Sequence, residues 1–312
     1  MEINKVALVG AGAVGSYVIW GLSKCDDVSF GVIADGERAQ RLRDEGIEIN
    51  DEVYHPQVWT PEEAKGADLI IVALKYGALP GALDDIAAAV GENTTVMSIM
   101  NGVDSEEIIA ERIGQEHMLY SLIRVTSARK GHSVHFNPDV TIGIIYGEAQ
   151  APYDSERVQA IARLFDKTTI KYRVTEHIMP EIWVKFRLNV CNNLPQAILG
   201  AGVGCYKDSE HMKAIRKGLR SELEAIAKAK GIDMDAAFNY SKQGVQNGCG
   251  TQASRYSTLQ DLDAKRHTEI DMFSGAIMRM GQELGIPTPY NEYTYHMIKA
   301  LEEKNDGLFD YE

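Results

Sequence analysis

The chain has 312 residues, 45% of them hydrophobic, enough apolar material for about two buried cores. Its 32 lysines and arginines stand against 45 aspartates and glutamates, a formal net charge of −13, which disfavours nucleic acid or an anionic membrane surface as a partner. No apolar run is long enough to span a membrane, and the first residues lack the basic start and apolar stretch of a secretion signal, so no membrane association and a cytoplasmic location are expected.

In chain order, residues 6–9 read as a strand that runs directly into Gly10-Ala11-Gly12-Ala13-Val14-Gly15, with a helix expected over 13–23. A strand, three glycines at this spacing and a helix form a dinucleotide-binding turn. The first glycine permits the tight turn, the second clears space beside a pyrophosphate, and the third lets helix and sheet pack closely. The pyrophosphate would sit on the helix N-terminus, where free N–H groups and the helix dipole favour negative charge. A second strand, 28–34, leads to Asp35, 20 residues beyond Gly15. A carboxylate there accepts hydrogen bonds from the adenosine ribose hydroxyls and repels a 2′-phosphate, so NAD is expected in preference to NADP. Glycines also cap helices and mark ordinary turns, but here the strand, the helix and the downstream acid accompany them.

A helix over 37–45 precedes 68–74, a nearly continuous apolar strand of the kind buried at the centre of a parallel sheet. Helix 80–90, strand 94–99, helix 105–113 and strand 118–127 continue the alternation, which predicts a doubly wound α/β sheet. Residues 133–136 and 141–146 flank Asn137-Pro138-Asp139 and read as a strand pair joined by a tight turn. Helix 157–165 and strand 169–174 close this half.

After about residue 177 strand-like runs nearly vanish. Met179-Pro180 reads as a helix entry, and the helix over 181–199 stops at Gly200 and Gly202. Residues 211–230 form an amphipathic helix through Met212, Ile215, Leu219, Leu223, Ile226 and Ala227, closed by Gly231. Helices over 270–284 and 293–301 complete an all-α half. The expected division is a dinucleotide-binding domain at 1–177 and a helical substrate-binding domain at 178–312, with the substrate between them.

Lys185 and Asn189 are four residues apart and share a helix face, with Asn193 another turn along. Three polar side chains beside so many apolar neighbours must be satisfied, and a polar ligand is one way to do it. The alternative is a surface lysine with two asparagines bonded to nearby loops. Cys25, Cys191, Cys205 and Cys249 are scattered without a CxxC, so reduced thiols are expected rather than a disulfide scaffold or a zinc knuckle. His132 and His135 sit three apart in a strand-like run, which points them to opposite faces, and no metal site is expected.

Several further pieces occur in order: Leu74-Lys75, Asn101-Gly102, Trp183-Val184-Lys185 with Asn189 and Asn193, Ser257-Thr258-Leu259-Gln260-Asp261, His267-Thr268-Glu269-Ile270-Asp271 with Gly275, and Pro287-Thr288-Pro289-Tyr290-Asn291. With the glycine turn they resemble the ketopantoate reductase (2-dehydropantoate 2-reductase) family along nearly the whole chain. The resemblance implies a Rossmann-type α/β N-terminal domain and an all-α C-terminal domain. It also implies nicotinamide-dependent reduction of a 2-keto acid to a D-2-hydroxy acid. By position, Lys185 matches the family's proton-donating lysine, and Glu269 the acid that positions it and touches substrate. Asn101 matches the asparagine between nicotinamide and substrate, and Ser257 the serine that holds the carboxylate. Asn189 and Asn193 match asparagines near the distal part of the substrate, and Lys75 a lysine near the cofactor ribose. A homodimer is implied too. Met272, Phe273, Met278 and Met280 could supply its face or belong to the core.

Two departures bear on specificity. Many family members carry an arginine at the end of the second strand, where this chain has Asp35, although Arg38 and Arg41 lie near enough to compensate. The family's Asn-Pro is here Asn193-Leu194, with Pro195 one place later. Both features tilt the expectation toward the family's NAD-dependent dehydrogenases of branched or aromatic D-2-hydroxy acids, such as D-mandelate. The retained asparagines keep 2-dehydropantoate reduction as the alternative. A third class, a non-catalytic cofactor-sensing protein on the same fold, is opposed by the joint presence of Lys185, Glu269, Asn101 and Ser257.

Overall fold

Strands that are largely apolar and buried organise the first half of the chain. A computed structural model describes residues 1–131, 133–237 and 251–309, so His132 and Cys249 lie outside the described residues. The chain divides into two units, Met1–Ile178 and Met179–Glu312.

The first unit contains strands β1 (Lys5–Val9), β2 (Ser29–Ile33), β3 (Ile47–Ile49), β4 (Glu52–Tyr54), β5 (Gln57–Trp59), β6 (Leu69–Val72), β7 (Thr95–Ser98), β8 (Met118–Arg124), β9 (Ser127–Lys130), β10 (Ser133–Phe136), β11 (Gly143–Gly147) and β12 (Tyr172–Val174). Eight form one sheet in the order β12-β11-β8-β7-β6-β1-β2-β5. Every neighbouring pair is parallel except β8 with β11. β6 and β7 are buried along their whole length, as strands covered on both faces must be.

Side-chain alternation on β1 shows the two layers. Val6 and Leu8 join Tyr17 and Leu22 of α1 (Gly15–Leu22), Leu42 of α2 (Gly36–Asp44) and Phe165 of α6 (Glu156–Phe165). Ala7 and Val9 face Ala64 of α3 (Pro61–Ala64), Ile86 of α4 (Leu79–Ala89) and Ile109 of α5 (Ser105–Ile113). The doubly wound reading is therefore met. The strand order reverses at β1, where the chain turns to β2 on one side and β6 on the other, and ligands of such sheets bind beyond the carboxyl ends at that point.

The expected pair of 133–136 with 141–146 does not form. β10 instead pairs with β9 and β3, and with β4 they make a separate four-stranded sheet. The following run becomes β11 and pairs antiparallel with β8. Asn137 explains the divergence. Its side chain accepts from the Asp139 N–H at 2.9 Å and its carbonyl from the Thr141 hydroxyl at 2.8 Å, which folds Asn137-Pro138-Asp139 into a local turn. Gly143, at φ +90°, then redirects the chain. The expected strand 118–127 likewise splits between the two sheets as β8 and β9. β3, β4 and β5 have three residues each, too short for alternation to reveal.

Every described segment of regular structure in the second unit is helical. α7 (Ile178–Leu188) enters a π-helical turn at Asn189–Asn193 and continues as the helix Leu194–Leu199, which ends at Gly200 with φ +68°. The sequence pattern reads as one unbroken helix there. Pro195 accounts for the difference, since it offers no N–H to the carbonyl four residues back and its ring crowds that carbonyl.

The long helix Glu210–Ala229 presents Met212, Leu219, Leu223, Ile226 and Ala227 inward, while Ile215 is exposed. Its buried Glu222 carboxylate accepts from the N–H groups of Tyr290 and Asn291 and from the Asn291 side chain, at 2.7, 3.0 and 2.7 Å. It thereby satisfies the start of the last helix, Pro289–Asn305, as a charge favoured by the helix dipole. Of the stripe Met272, Phe273, Met278 and Met280, Met278 is half-buried and the other three are buried in the core.

Candidate active site

The glycine turn is held by contacts that leave no room for side chains at its two ends. Gly10 has φ +104°, and a Cβ there would lie 2.7 Å from the Ala73 carbonyl oxygen. A Cβ on Gly15 would lie 1.9 Å from the Gly10 carbonyl oxygen. A Cβ on Gly12 would meet nothing within 4 Å, so the space above the middle of the turn is open. The Ser16 N–H and hydroxyl both bond to the Gly12 carbonyl, at 2.9 and 2.7 Å, and lock Gly10, Ala11, Gly12, Ala13, Val14 and Gly15 onto α1. In the first turn of α1 the Tyr17 N–H likewise bonds to the Val14 carbonyl, at 3.1 Å. A close, enclosed turn with an open middle fits a dinucleotide pyrophosphate.

The other N-terminal candidates follow neighbouring parallel strands and so share one edge of the sheet. Asp35 follows β2 and stands exposed at the start of α2, its side chain not engaged in capping. Arg38 and Arg41 are exposed on α2. Burial, together with the charges of Asp35, Glu62 and Asp84, holds the Asp85 carboxyl above its ordinary value. The surroundings of Asp35 are thus acidic beyond Asp35 itself. Lys75 follows β6 and is exposed, whereas Asn101 follows β7 and is half-buried. The Tyr76 hydroxyl donates to Asp104 at 2.8 Å and ties these two loops together. Sequence inspection passes over Tyr76 and Asp104, because neither lies in a motif.

In the second unit the asparagines and the serine meet. Asn193 Nδ2 lies 3.4 Å from both Asn189 Oδ1 and Ser257 Oγ, across 64 residues of sequence in the latter case. Gln196, fully buried, supports this meeting. Its amide donates to the Ser254 carbonyl at 3.0 Å and accepts from the Tyr256 N–H at 2.8 Å, fixing the approach to the helix that starts at Ser257. The Tyr206 hydroxyl donates to the Asn192 carbonyl within the π turn. π turns of this kind gather at functional sites. Burial pushes the Cys191 thiol up to about 12, so within that turn it behaves as a packed, inert group. Cys25, Cys191 and Cys205 are unpaired thiols.

Lys185 is half-buried on α7, one turn before Asn189. Its neighbour Phe186 packs on Phe273, with ring centroids 6.4 Å apart, so α7 lies against the turn that follows Glu269. The residues around Glu269 are clamped to the last helix. Glu302 accepts from the Thr268 N–H and hydroxyl, both at 2.6 Å, and His267 Nε2 lies 3.0 Å from Asp306. Asp271 accepts from Tyr295 at 2.8 Å and Lys299 at 2.7 Å. Burial would raise the Asp271 carboxyl, but these donors outweigh it and hold the group below its ordinary value. Half-buried Glu269 stands between the two clamped points. The His-Thr-Glu-Ile-Asp run thus combines one candidate site residue with a scaffold that orients it.

Among the described residues no group of three or more His, Cys, Asp or Glu side chains could hold a metal ion, and no helix is long and apolar enough to cross a membrane.

The family model Ketopantoate reductase PanE/ApbA matches residues 6–147, and Ketopantoate reductase PanE/ApbA C terminal matches residues 177–302. The 2-dehydropantoate 2-reductase of Streptococcus pyogenes serotype M6 is 26% identical over 304 residues, covering 95% of this chain and 97% of the relative. A PanE/ApbA family ketopantoate reductase from Ralstonia eutropha JMP134 superposes with a TM-score of 0.80 at 24% identity, covering 97% of this chain and 99% of that one. D-mandelate dehydrogenase in complex with NADH superposes with a TM-score of 0.80 at 22% identity, covering 96% and 99%. Likeness at these two identities is a likeness of fold.

Proposed function

Because this chain belongs to the ketopantoate reductase family, oxidoreductases that act on CH–OH donors, we propose that it interconverts 2-keto acids and D-2-hydroxy acids with NAD(H). The substrate side chains in this reading are branched or aromatic. The observation that carries it is that Asn189 and Asn193, one and two turns beyond Lys185, meet Ser257 at the start of a separate helix. Asp35 supports NAD over NADP.

A bound nicotinamide supplies or accepts the hydride. The chain's own residues do the rest. As hydride reaches the keto carbon, the C=O π bond breaks and its electron pair moves onto oxygen. The Lys185 ammonium stabilises that growing charge and then gives up its proton to make the hydroxyl. Glu269 holds Lys185 in position. Ser257 donates to the substrate carboxylate, Asn189 and Asn193 contact the distal part, and Asn101 orients the reacting groups. Gly10 to Gly15, Asp35 and Lys75 hold the dinucleotide. In the oxidative direction Lys185 is the base.

Ser257→Ala is expected to raise the KM for a good 2-keto acid about tenfold, the value of one hydrogen bond to a charged group, with NADH affinity unchanged. Steady-state kinetics and a fluorescence titration of NADH check this. A defect confined to NADH binding would remove Ser257 from the substrate shell.

The function itself is tested by initial rates with ketopantoate, phenylglyoxylate and 2-ketoisovalerate, each with NADH and NADPH. The highest kcat/KM is expected with NADH and a branched or aromatic acid. Retained Asn189 and Asn193 favour a second reading, 2-dehydropantoate reduction, which predicts that ketopantoate with NADPH is the best pair. NADH binding without turnover of any 2-keto acid would overturn both.

A further inference from the structure

A carboxyl group is buried directly behind the loop that carries Asn101. Glu106, in the first turn of α5, is 4% exposed, and Ser98, Ser105 and Ser121 beside it are 1%, 2% and 2% exposed. The Ser105 hydroxyl donates to Glu106 Oε2 at 2.8 Å, and the Ser98 and Ser105 hydroxyl oxygens are 2.7 Å apart. Ser98 Oγ in turn accepts from the Met100 N–H at 3.4 Å, while the Ser121 hydroxyl holds the Ser98 carbonyl at 2.6 Å. The row therefore runs from Glu106 through Ser105 and Ser98 to the N–H of Met100, the residue immediately before Asn101.

We infer that Glu106 is a positioning residue for the Asn101 loop, its ionised carboxylate orienting the Ser105 and Ser98 hydroxyls so that Ser98 keeps a lone pair for the Met100 N–H. The inference rests on the reading that puts Asn101 at the reacting groups. Hydroxyl chains have a direction. With Glu106 ionised, Ser105 must donate to it, so Ser98 donates to Ser105 and accepts from Met100. A proton on Oε2 makes Glu106 a donor to Ser105. The chain then reverses: Ser98 accepts from Ser105, and its proton must take one of the two remaining directions on Oγ, where it competes with the Met100 N–H. The Met100 contact is the longest link and so the first to be lost.

The charged and titratable groups around Glu106 are few. Asp104 precedes α5, Glu107 lies on the same helix, and Tyr120 faces it from β8. Farther along α5, Arg112 pairs with Asp84 of α4, and Glu116 and His117 lie in the turn that follows. Burial, against the donation of Ser105 and of the Glu106 and Ser121 N–H groups, pushes the Glu106 carboxyl up to about 7. Because this is a raised acid, the folded chain is stabilised most below pH 4.5, and that contribution is lost as pH rises to about 7. The ionised form costs stability where the loop is best ordered, as expected of a strained group that serves a site.

Two measurements test the inference. In the cofactor-free protein, the Met100 and Asn101 amide resonances are expected to titrate with a midpoint near pH 7 and to stop doing so in Glu106→Gln. In turnover, kcat/KM is expected to fall about tenfold as the wild-type enzyme is acidified through that midpoint, whereas Glu106→Gln, which does not titrate, shows no acid limb there. Ser105→Ala, which cuts the chain and leaves the carboxyl, should remove both responses and serves if the glutamine variant does not fold. Amides that do not move near pH 7 overturn the inference, as does a glutamine variant with an unchanged acid limb, whatever its overall rate. If no 2-keto acid is turned over, the functional reading fails while the amide titration still decides this one.

Discussion

Lys185→Ala is expected to lower kcat for ketone reduction by about 10²-fold or more at neutral pH, the usual scale of a lost general acid, with NADH affinity unchanged. The argument begins from charge. Hydride addition leaves a full negative charge on the former keto oxygen, and a half-buried ammonium there is worth far more than the same group in water. Truncation removes both the stabilising charge and the proton. Lys185→Arg separates the two functions, because arginine keeps the charge but does not give up its proton at any pH a protein tolerates. It should recover little of the lost rate.

Glu269→Gln should also slow turnover. Its effect should not add to that of Lys185→Ala, since residues that act as a unit give non-additive losses. Stopped-flow and steady-state rates on one good keto acid, together with NADH titration, give the answer. Near-normal turnover by the alanine variant would sink the assignment.

Asp35 is expected to make NADH better than NADPH by on the order of 10²-fold in kcat/KM. The 2′-phosphate carries about −1.5 to −2 charges at neutral pH and would meet a carboxylate at the end of β2. The raised Asp85 carboxyl adds to the argument. Asp35, Glu62 and Asp84 already act on it as like charges, so a phosphate brought there meets an acidic neighbourhood and not a single acid. Asp35→Ala alone should therefore reduce the preference without abolishing it. Asp35→Arg, which offers a forked donor to the phosphate, should bring the two cofactors near parity or reverse their order.

Added salt should narrow the wild-type gap only in part, since close pairs are screened less than distant ones. The competing account is that exposed Arg38 and Arg41 reach the phosphate and neutralise the acid. Equal or better efficiency with NADPH in the unmodified protein would establish that account and favour 2-dehydropantoate reduction.

Much of the fold is legible where a pattern repeats over many residues. The glycine turn, the buried β6 run and the helix over 105–113 each announce themselves through a local rule: close approach, burial on both faces, and a period near 3.6. Failures occur where the rule is shorter than the element or where a distant partner decides. β3 to β5 are too brief for alternation. The Asn137-Pro138-Asp139 turn resembles a hairpin, but pairing depends on strands β3 and β8, which lie far away in sequence.

The candidate site divides along the same line. The chain by itself determines which chemical groups are present and which local geometries they impose: glycines where a Cβ cannot fit, an acid 20 residues beyond Gly15, and Lys185 in step with Asn189. Each follows from stereochemistry or helical period within a few residues. Only the tertiary structure decides that Ser257 meets Asn193, and that His267, Thr268 and Asp271 clamp Glu269's segment to the last helix. It alone also places Glu106 behind Asn101 through two serines, one of them in β7. The physical reason is that a buried polar group must find a partner wherever the packing brings one, and that choice is made in space across tens of residues.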